Sequence, residues 1–261
     1  MHQNDVLCDL YIGKGAGKNI LNDIKNASKS VRIISPYVSP SLVWQLIQLK
    51  RSGVEVQLIT TDTIMDSTEN SVGTFRQLVS QEKVFDSKAQ TFRNILSVLE
   101  KICWVVIAGA AVYGFFNMEH PGPKFRSAII TLVVSLVAAI LLRLKLSKLQ
   151  TFHYRYDTLF PLKLLIAPEK AEYPIKTFIH SKVYIIDDEI MYWGSMNFTS
   201  AGTQENYETR VKIKDPETIH KMSLTFSKML ISHNLPERNL SVWGKMIYSI
   251  EKQEEKKEDI A

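Results

Sequence analysis

The amino-acid sequence predicts an α/β fold, a sheet flanked by helices, interrupted by a helical hairpin apolar enough to cross a membrane. Helical and extended patterns alternate over the first hundred residues and resume after residue 160. Between them stand two charge-free runs, "ICWVVIAGAAVYGFF" (102–116) and "AIITLVVSLVAAILL" (128–142). The chain has 261 residues and is 45% hydrophobic, enough for one large domain or two small ones with a packed core.

The elements follow in order. In "GKNILNDIKNASK", Ile20, Leu21 and Ile24 fall on one stripe and predict a helix. "VRIISPY" (31–37) is a short strand ended by Pro36. "SLVWQLIQLKRSG" (41–53) is a helix with basic residues in its last turn and Gly53 at its end, and "VEVQLITTD" (54–62) is a second strand. Such alternation implies a largely parallel sheet covered by helices.

The two apolar runs lie between the roughly 17–25 residues of a spanning helix and the roughly 10–14 of a buried core helix. Several features favour a membrane. Both runs are apolar on every side. Lys101, Arg143 and Lys145 at their ends have long stems that can snorkel and lengthen the effective span. Ala108, Gly109, Ala110, Ala111 and Gly114 suit close helix packing. The alternative is a buried helical hairpin at a subunit interface. If the α/β parts before and after belong to one fold, two crossings return the chain to the same side. Lys83, Lys88, Arg93 and Lys101 precede the hairpin and Arg143, Lys145, Lys148 and Arg155 follow it, whereas the turn "NMEHPGPKFRS" holds only Lys124 and Arg126. The positive-inside rule then places both α/β parts in the cytoplasm.

Beyond the hairpin, "LKLLIAP" (162–168), "TFIHSKVYIID" (177–187), "IMYWGS" (190–195) and "ETRVKIK" (208–214) read as strands. Asp215-Pro216 opens a helix whose Ile219, Met222 and Phe226 are core candidates. The end, "EKQEEKKEDIA", is a mixed-charge tail expected to be solvated or disordered. The division expected is 1–95 and 151–248 for the α/β domain, 96–150 for the hairpin with spans at about 102–118 and 127–144, and 249–261 for the tail.

Lys and Arg exceed Asp and Glu by 32 to 27, a net charge of +5 with a pI near 9.0, which tolerates an anionic partner without requiring one. Two cysteines, Cys8 and Cys103, exclude a disulfide framework and fit a reducing compartment. The N-terminus lacks the basic start and apolar run of a secretory signal. "GKGAGKN" (13–19) lacks the spacing of a phosphate loop, has Asn19 where Ser or Thr belongs, and shows no strand leading into it. No cluster with metal-ligand spacing appears, so neither metal nor cofactor is expected.

One strand carries the chemistry. Alternation puts His180, Lys182 and Tyr184 on one face, with Ile179, Ser181, Val183 and Ile185 opposed. His180 and Lys182 then lie about 6.6 Å apart along the strand, close enough to hold two sides of one small anion. The bland reading is a satisfied core histidine with a lysine at a sheet edge. Further polar residues stand beside neighbouring short strands: Asp187, then Gly194, Ser195 and Asn197, then Asn206 and Glu208.

This constellation resembles the phospholipase D superfamily, whose signature is H-x-K-x4-D followed by G-S-x-N. It stands here as His180, Lys182, Asp187, Gly194, Ser195 and Asn197, with Glu208 in a downstream N-x-E. The stretch from Val31 to Asp62 is similar to the opening strand–helix–strand of that fold. The resemblance implies a phospholipase D-like mixed sheet flanked by helices and interrupted by the transmembrane hairpin. It also implies phosphodiester chemistry through a phosphohistidine at His180. Lys182, Ser195 and Asn197 would bind phosphate, Glu208 would orient the imidazole, and Asp187 would complete the set, more structural than chemical. Superfamily sites use two such motifs, and this chain has one, which implies a homodimer sharing one active site. The implied substrate is either a phospholipid, hydrolysed or transferred by a membrane enzyme, or nucleic acid, cleaved by a membrane-tethered nuclease. A third alternative is a non-catalytic membrane scaffold.

Overall fold

The computed structural model describes residues 1–65, 69–119, 122–168 and 178–258. It divides into two compact units. One comprises residues 1–81 and 156 onward, the other Glu82–Arg155.

The first unit is built on a seven-stranded sheet. Its strands are β1 (Cys8–Lys14), β2 (Ser30–Ile34), β3 (Glu55–Thr61), β6 (Leu162–Leu165), β7 (Val183–Ile186), β8 (Ile190–Gly194) and β9 (Tyr207–Ile213), in the order β1-β9-β8-β7-β2-β3-β6. The sheet is mixed. Only β2–β3 and β3–β6 pair in parallel, while β1–β9, β9–β8, β8–β7 and β7–β2 are antiparallel. The largely parallel sheet implied by strand–helix alternation therefore holds for the β2–β3–β6 half alone. The β7–β8 hairpin, which alternation with helices does not announce, turns the rest antiparallel.

Helices cover both faces. On one side α1 (Lys18–Lys25), α2 (Pro40–Arg51), α3 (Glu69–Leu78) and α7 (Leu240–Glu258) enclose a core containing Ile20, Ile24, Leu46, Val56, Phe75, Tyr184, Tyr192 and Trp243. On the other, α6 (Pro216–Ile231) packs Ile219 and Phe226 on Ile34, Ile59, Val183, Ile185 and Ile213. The parity expected around His180 is visible in these two cores, since Tyr184 enters the first and Val183 and Ile185 the second. α6 starts as its sequence predicts. Pro216 takes the first turn, and the Asp215 carboxylate accepts the Thr218 amide at 2.8 Å. Its far end is capped by the buried Lys163, whose Nζ donates to the carbonyls of Leu230 (3.2 Å) and Ser232 (2.5 Å).

Three sequence expectations are corrected. The strand expected at 177–187 is regular only over Val183–Ile186, with His180 and Lys182 in the segment leading into it; Thr177 lies outside the described residues. The charged tail is helical through Glu258, the continuation of α7, while residues 259–261 lie outside the described residues. A strand does lead into "GKGAGKN". It is β1, an edge strand exposed along most of its length and joined to the sheet through β9.

The second unit holds α4 (Ser87–Phe116, 30 residues) and α5 (Pro123–Lys148, 26 residues). Strands β4 (Val79–Phe85) and β5 (Phe152–Thr158) form a two-stranded ribbon at their base. At 1.5 Å per residue the helices run to about 45 and 39 Å, long enough for a hydrocarbon core of about 30 Å. Both are long and apolar enough to cross a membrane, and only 6% and 11% of their most apolar windows is buried. A core hairpin inside a soluble domain would be mostly buried. A β-carbon on Gly114 would meet the Ala128 Cβ at 3.5 Å, an ordinary van der Waals contact, and Gly109 faces open space, so the packing of α4 on α5 requires a glycine at neither position.

Candidate active site

The site forms where β7, β8 and β9 reach the same end of the sheet. His180 is exposed and Lys182 is 4% exposed. The Lys182 ammonium lies 3.0 Å from His180 Nδ1 and 3.2 Å from Nε2. An ammonium only donates hydrogen bonds, so the ring nitrogen that meets it is the acceptor, and its lone pair is engaged by Lys182. Burial pulls Lys182 below the ordinary lysine value, and the Glu208 carboxylate opposes that shift.

A cavity of about 440 Å³ opens here, lined by His180, Lys182, Trp193, Gly194, Ser195, Thr209 and Val211. The G-S-x-N stretch follows β8 and is held from several directions. The Ser195 amide donates to the Thr209 carbonyl at 3.1 Å, and the Thr209 amide returns a bond to Ser195 Oγ at 2.9 Å. Ser195 Oγ donates to Glu208 Oε2, whose other oxygen accepts from Asn206 at 3.3 Å. The buried Tyr184 hydroxyl donates to the Met196 carbonyl at 2.7 Å, and burial raises that phenol well above its usual range, so it stays a donor. Ser35 Oγ accepts the Phe198 amide at 2.9 Å.

Gly194 is required by close approach, since a β-carbon there would stand 1.9 Å from the Thr209 carbonyl oxygen. Asn197 is half-buried, and its Oδ1 is buried without a hydrogen-bond partner among the described residues. Such an atom has a cost unless something else binds it.

The six predicted site residues are placed differently. His180, Lys182 and Ser195 line the cavity, and Glu208 joins them through Ser195. Asn197 follows on the same loop but is not among the lining residues. Glu208 is engaged by Ser195 and Asn206 rather than by the imidazole it was expected to orient. Asp187 is elsewhere. Strand β7 separates it from Lys182 by about 16 Å of extended chain. Its Oδ1 accepts the amides of Lys29 (2.7 Å) and Ser30 (2.8 Å), and its Oδ2 that of Ser28 (3.0 Å). Asp187 therefore stands apart from the residues that line the cavity. It ties the turn to the start of β2. Sequence reasoning missed Trp193, Thr209 and Val211 as walls, because they come together only through the register Val183↔Trp193↔Val211. Among the described residues no cluster of three or more His, Cys, Asp or Glu could hold a metal ion.

The family described as cardiolipin synthase, PLD-like domain, matches residues 20–117 and 146–230. The chain belongs to this phospholipase D-like family. Both matched segments flank or enter the hairpin, and the second contains the whole constellation from His180 to Glu208. The superfamily's members are phosphodiesterases, and that is the activity class of this fold and site. Solved structures with similarity include NucT from Helicobacter pylori, 18% identical, with 87% of this chain and 96% of that chain covered at a TM-score of 0.42. Another is Nuc from Salmonella typhimurium, a phospholipase D family member, 15% identical over 89% of this chain and 97% of that one, TM-score 0.42. Phosphatidylserine synthase from Haemophilus influenzae Rd KW20 is 12% identical over 98% of this chain and 47% of that chain, TM-score 0.40. No curated protein matches the chain.

Proposed function

We propose that the protein is a membrane-anchored phosphodiesterase that cleaves or exchanges phospholipid headgroups through a covalent phosphohistidine on His180. The observation that carries the proposal is the Lys182 ammonium at 3.0 Å from an exposed imidazole on the wall of a cavity. The acceptor nitrogen becomes a competent nucleophile once Lys182 turns its N–H from the ring to the phosphoryl oxygens, where charge would need balancing. In the first step a His180 nitrogen attacks phosphorus, the bond to the leaving oxygen breaks, and that oxygen takes a proton from an acid. In the second, water or an alcohol attacks phosphorus, gives its proton back to the same group, and the P–N bond breaks. Lys182 and the Asn197 amide are the donors available to the phosphoryl oxygens, with the Ser195 hydroxyl committed to Glu208. Glu208 acts behind them, holding Ser195 and opposing the loss of charge on Lys182. The chain has one H-x-K, so the acid is His180 of a second copy, and the active unit is a two-fold homodimer.

The apolar pair α4 and α5 supports a lipid substrate. They are read as spanning helices, with the α/β unit on the cytoplasmic side. Strands from before and after the hairpin build one sheet, which two crossings permit and one would not. A second reading, a membrane-tethered nuclease, is favoured by Trp193. It is 56% exposed on the cavity wall, where a base could stack.

The test is a paired assay on detergent-purified wild type and His180→Ala in EDTA, with labelled phospholipids in one arm and single- and double-stranded DNA and RNA in the other. Lipid turnover that persists in EDTA and is lost in the variant is expected. Co-assembling the two proteins should lower activity more than dilution does, because each site needs both copies. Variant-sensitive cleavage of nucleic acid alone would replace the lipid reading. Full activity in His180→Ala would remove the nucleophile, and a response linear in wild-type fraction would remove the shared site.

A further inference from the structure

A second cavity, of about 670 Å³, lies on the α6 side of the sheet. It shares two wall residues, Trp193 and Val211, with the catalytic cavity, and Ser181, between His180 and Lys182 in sequence, also lines it. Its volume falls in the range of about 300–1,000 Å³ typical of small-molecule sites. The floor is apolar and buried, with Val183, Met191 and Ile213 each 5% exposed or less. The far wall is α6, which contributes Met222 and Met229. The N-terminal segment closes one side through Met1 and Val6, and Gln3 accepts a hydrogen bond from Lys221 of α6 at 2.9 Å.

From this geometry we propose that the cavity is an acyl-chain subsite for the phospholipid substrate, entered past Trp193 and Val211 from the catalytic cavity. The inference rests on the lipid reading above and specifies it. A phosphodiester held at His180 and Lys182 must send its substituents into the adjoining space. The sugars and bases of a nucleic acid carry polar edges that an apolar floor cannot satisfy. An acyl chain carries none, and its burial removes apolar surface from water at roughly 25 cal/mol per Å². Methionine walls adapt to a flexible unbranched chain better than branched side chains do.

The probe is a lysophospholipid with a diazirine at the end of its acyl chain, photolysed on the full-length protein in a steroid-based detergent, with labelled peptides mapped by mass spectrometry. Label is expected on β8 and α6 peptides, in addition to any on the apolar hairpin, which serves as an internal control. Met222→Trp fills the cavity from α6, and Thr225→Trp fills it from a second, half-buried wall position one turn along the same helix. Either should cut labelling of β8 and α6 about tenfold, a loss of roughly 1.4 kcal/mol in binding, with hairpin labelling unchanged. Label confined to the hairpin, or α6 labelling indifferent to both variants, overturns the proposal. Labelling does not depend on turnover. Retained labelling without lipid cleavage would therefore sink the enzymatic reading and leave a lipid-binding cavity, whereas lipid cleavage without labelling would sink the subsite alone.

Discussion

Asp187 adopts a left-handed backbone, with φ 54°, and Asp188 follows at 55°; together they make the tight turn between β7 and β8. Aspartate and asparagine are among the few side chains that tolerate this region. Burial works against ionising Asp187, but the amides of Ser28, Ser30 and Lys29 and the Ser28 hydroxyl outweigh it and hold the carboxyl below its ordinary range. A carboxyl so lowered contributes stability above its unfolded value, about 3.9, and that contribution is lost as pH falls through the lower folded value. Asp187→Asn keeps the turn and removes the charge. Thermal unfolding should show it less stable than wild type by about 1–2 kcal/mol at neutral pH. The gap should close as wild type is acidified below about pH 4. Superimposable unfolding curves at all pH values would make the carboxylate irrelevant to the turn. The motif groups Asp187 with His180 by spacing alone, and spacing does not reveal that the strand carries it to the opposite end of the sheet.

At the scale of elements, Gly194 lets the end of β8 lie against β9. With the Thr209 carbonyl 1.9 Å from any added β-carbon, Gly194→Ala must part the two strands where Ser195 and Thr209 exchange hydrogen bonds. The expected result is a destabilisation of about 1–3 kcal/mol, typical of overpacking, with turnover falling further than stability accounts for. Wild-type turnover in a folded Gly194→Ala protein would show that the strand junction does not position the site. Much of this region is legible in the sequence. Ile20 and Ile24, Pro36 and Gly53, and Asp215-Pro216 each mark an element found close to its expected bounds, because local patterning decides them. β1 was hidden because its side chains are mostly exposed and its pairing with β9 is made by backbone. His180 and Lys182 were legible as a pair, but their direct contact was not, since it depends on irregular chain ahead of β7.

At the scale of the whole molecule, one sheet is assembled from both sides of a long apolar insertion. β2 pairs with β7 across more than a hundred intervening residues, so the strands around the candidate site depend on chain from both sides of the apolar insertion. The sequence shows the insertion by composition, while the length of α4 and α5 beyond their charge-free runs appears only in the structure. All of this converges on a single nitrogen-bearing ring that would carry the phosphoryl group between two alcohols or between an alcohol and water. The most direct measurement is to quench the purified protein during turnover of a phospholipid labelled in its phosphatidyl part and to locate the covalent label by peptide mapping. Acid-labile label is expected on the peptide containing His180 and absent from His180→Ala. Label on another residue, or turnover with no covalent label under conditions that trap a phosphohistidine standard, would contradict it.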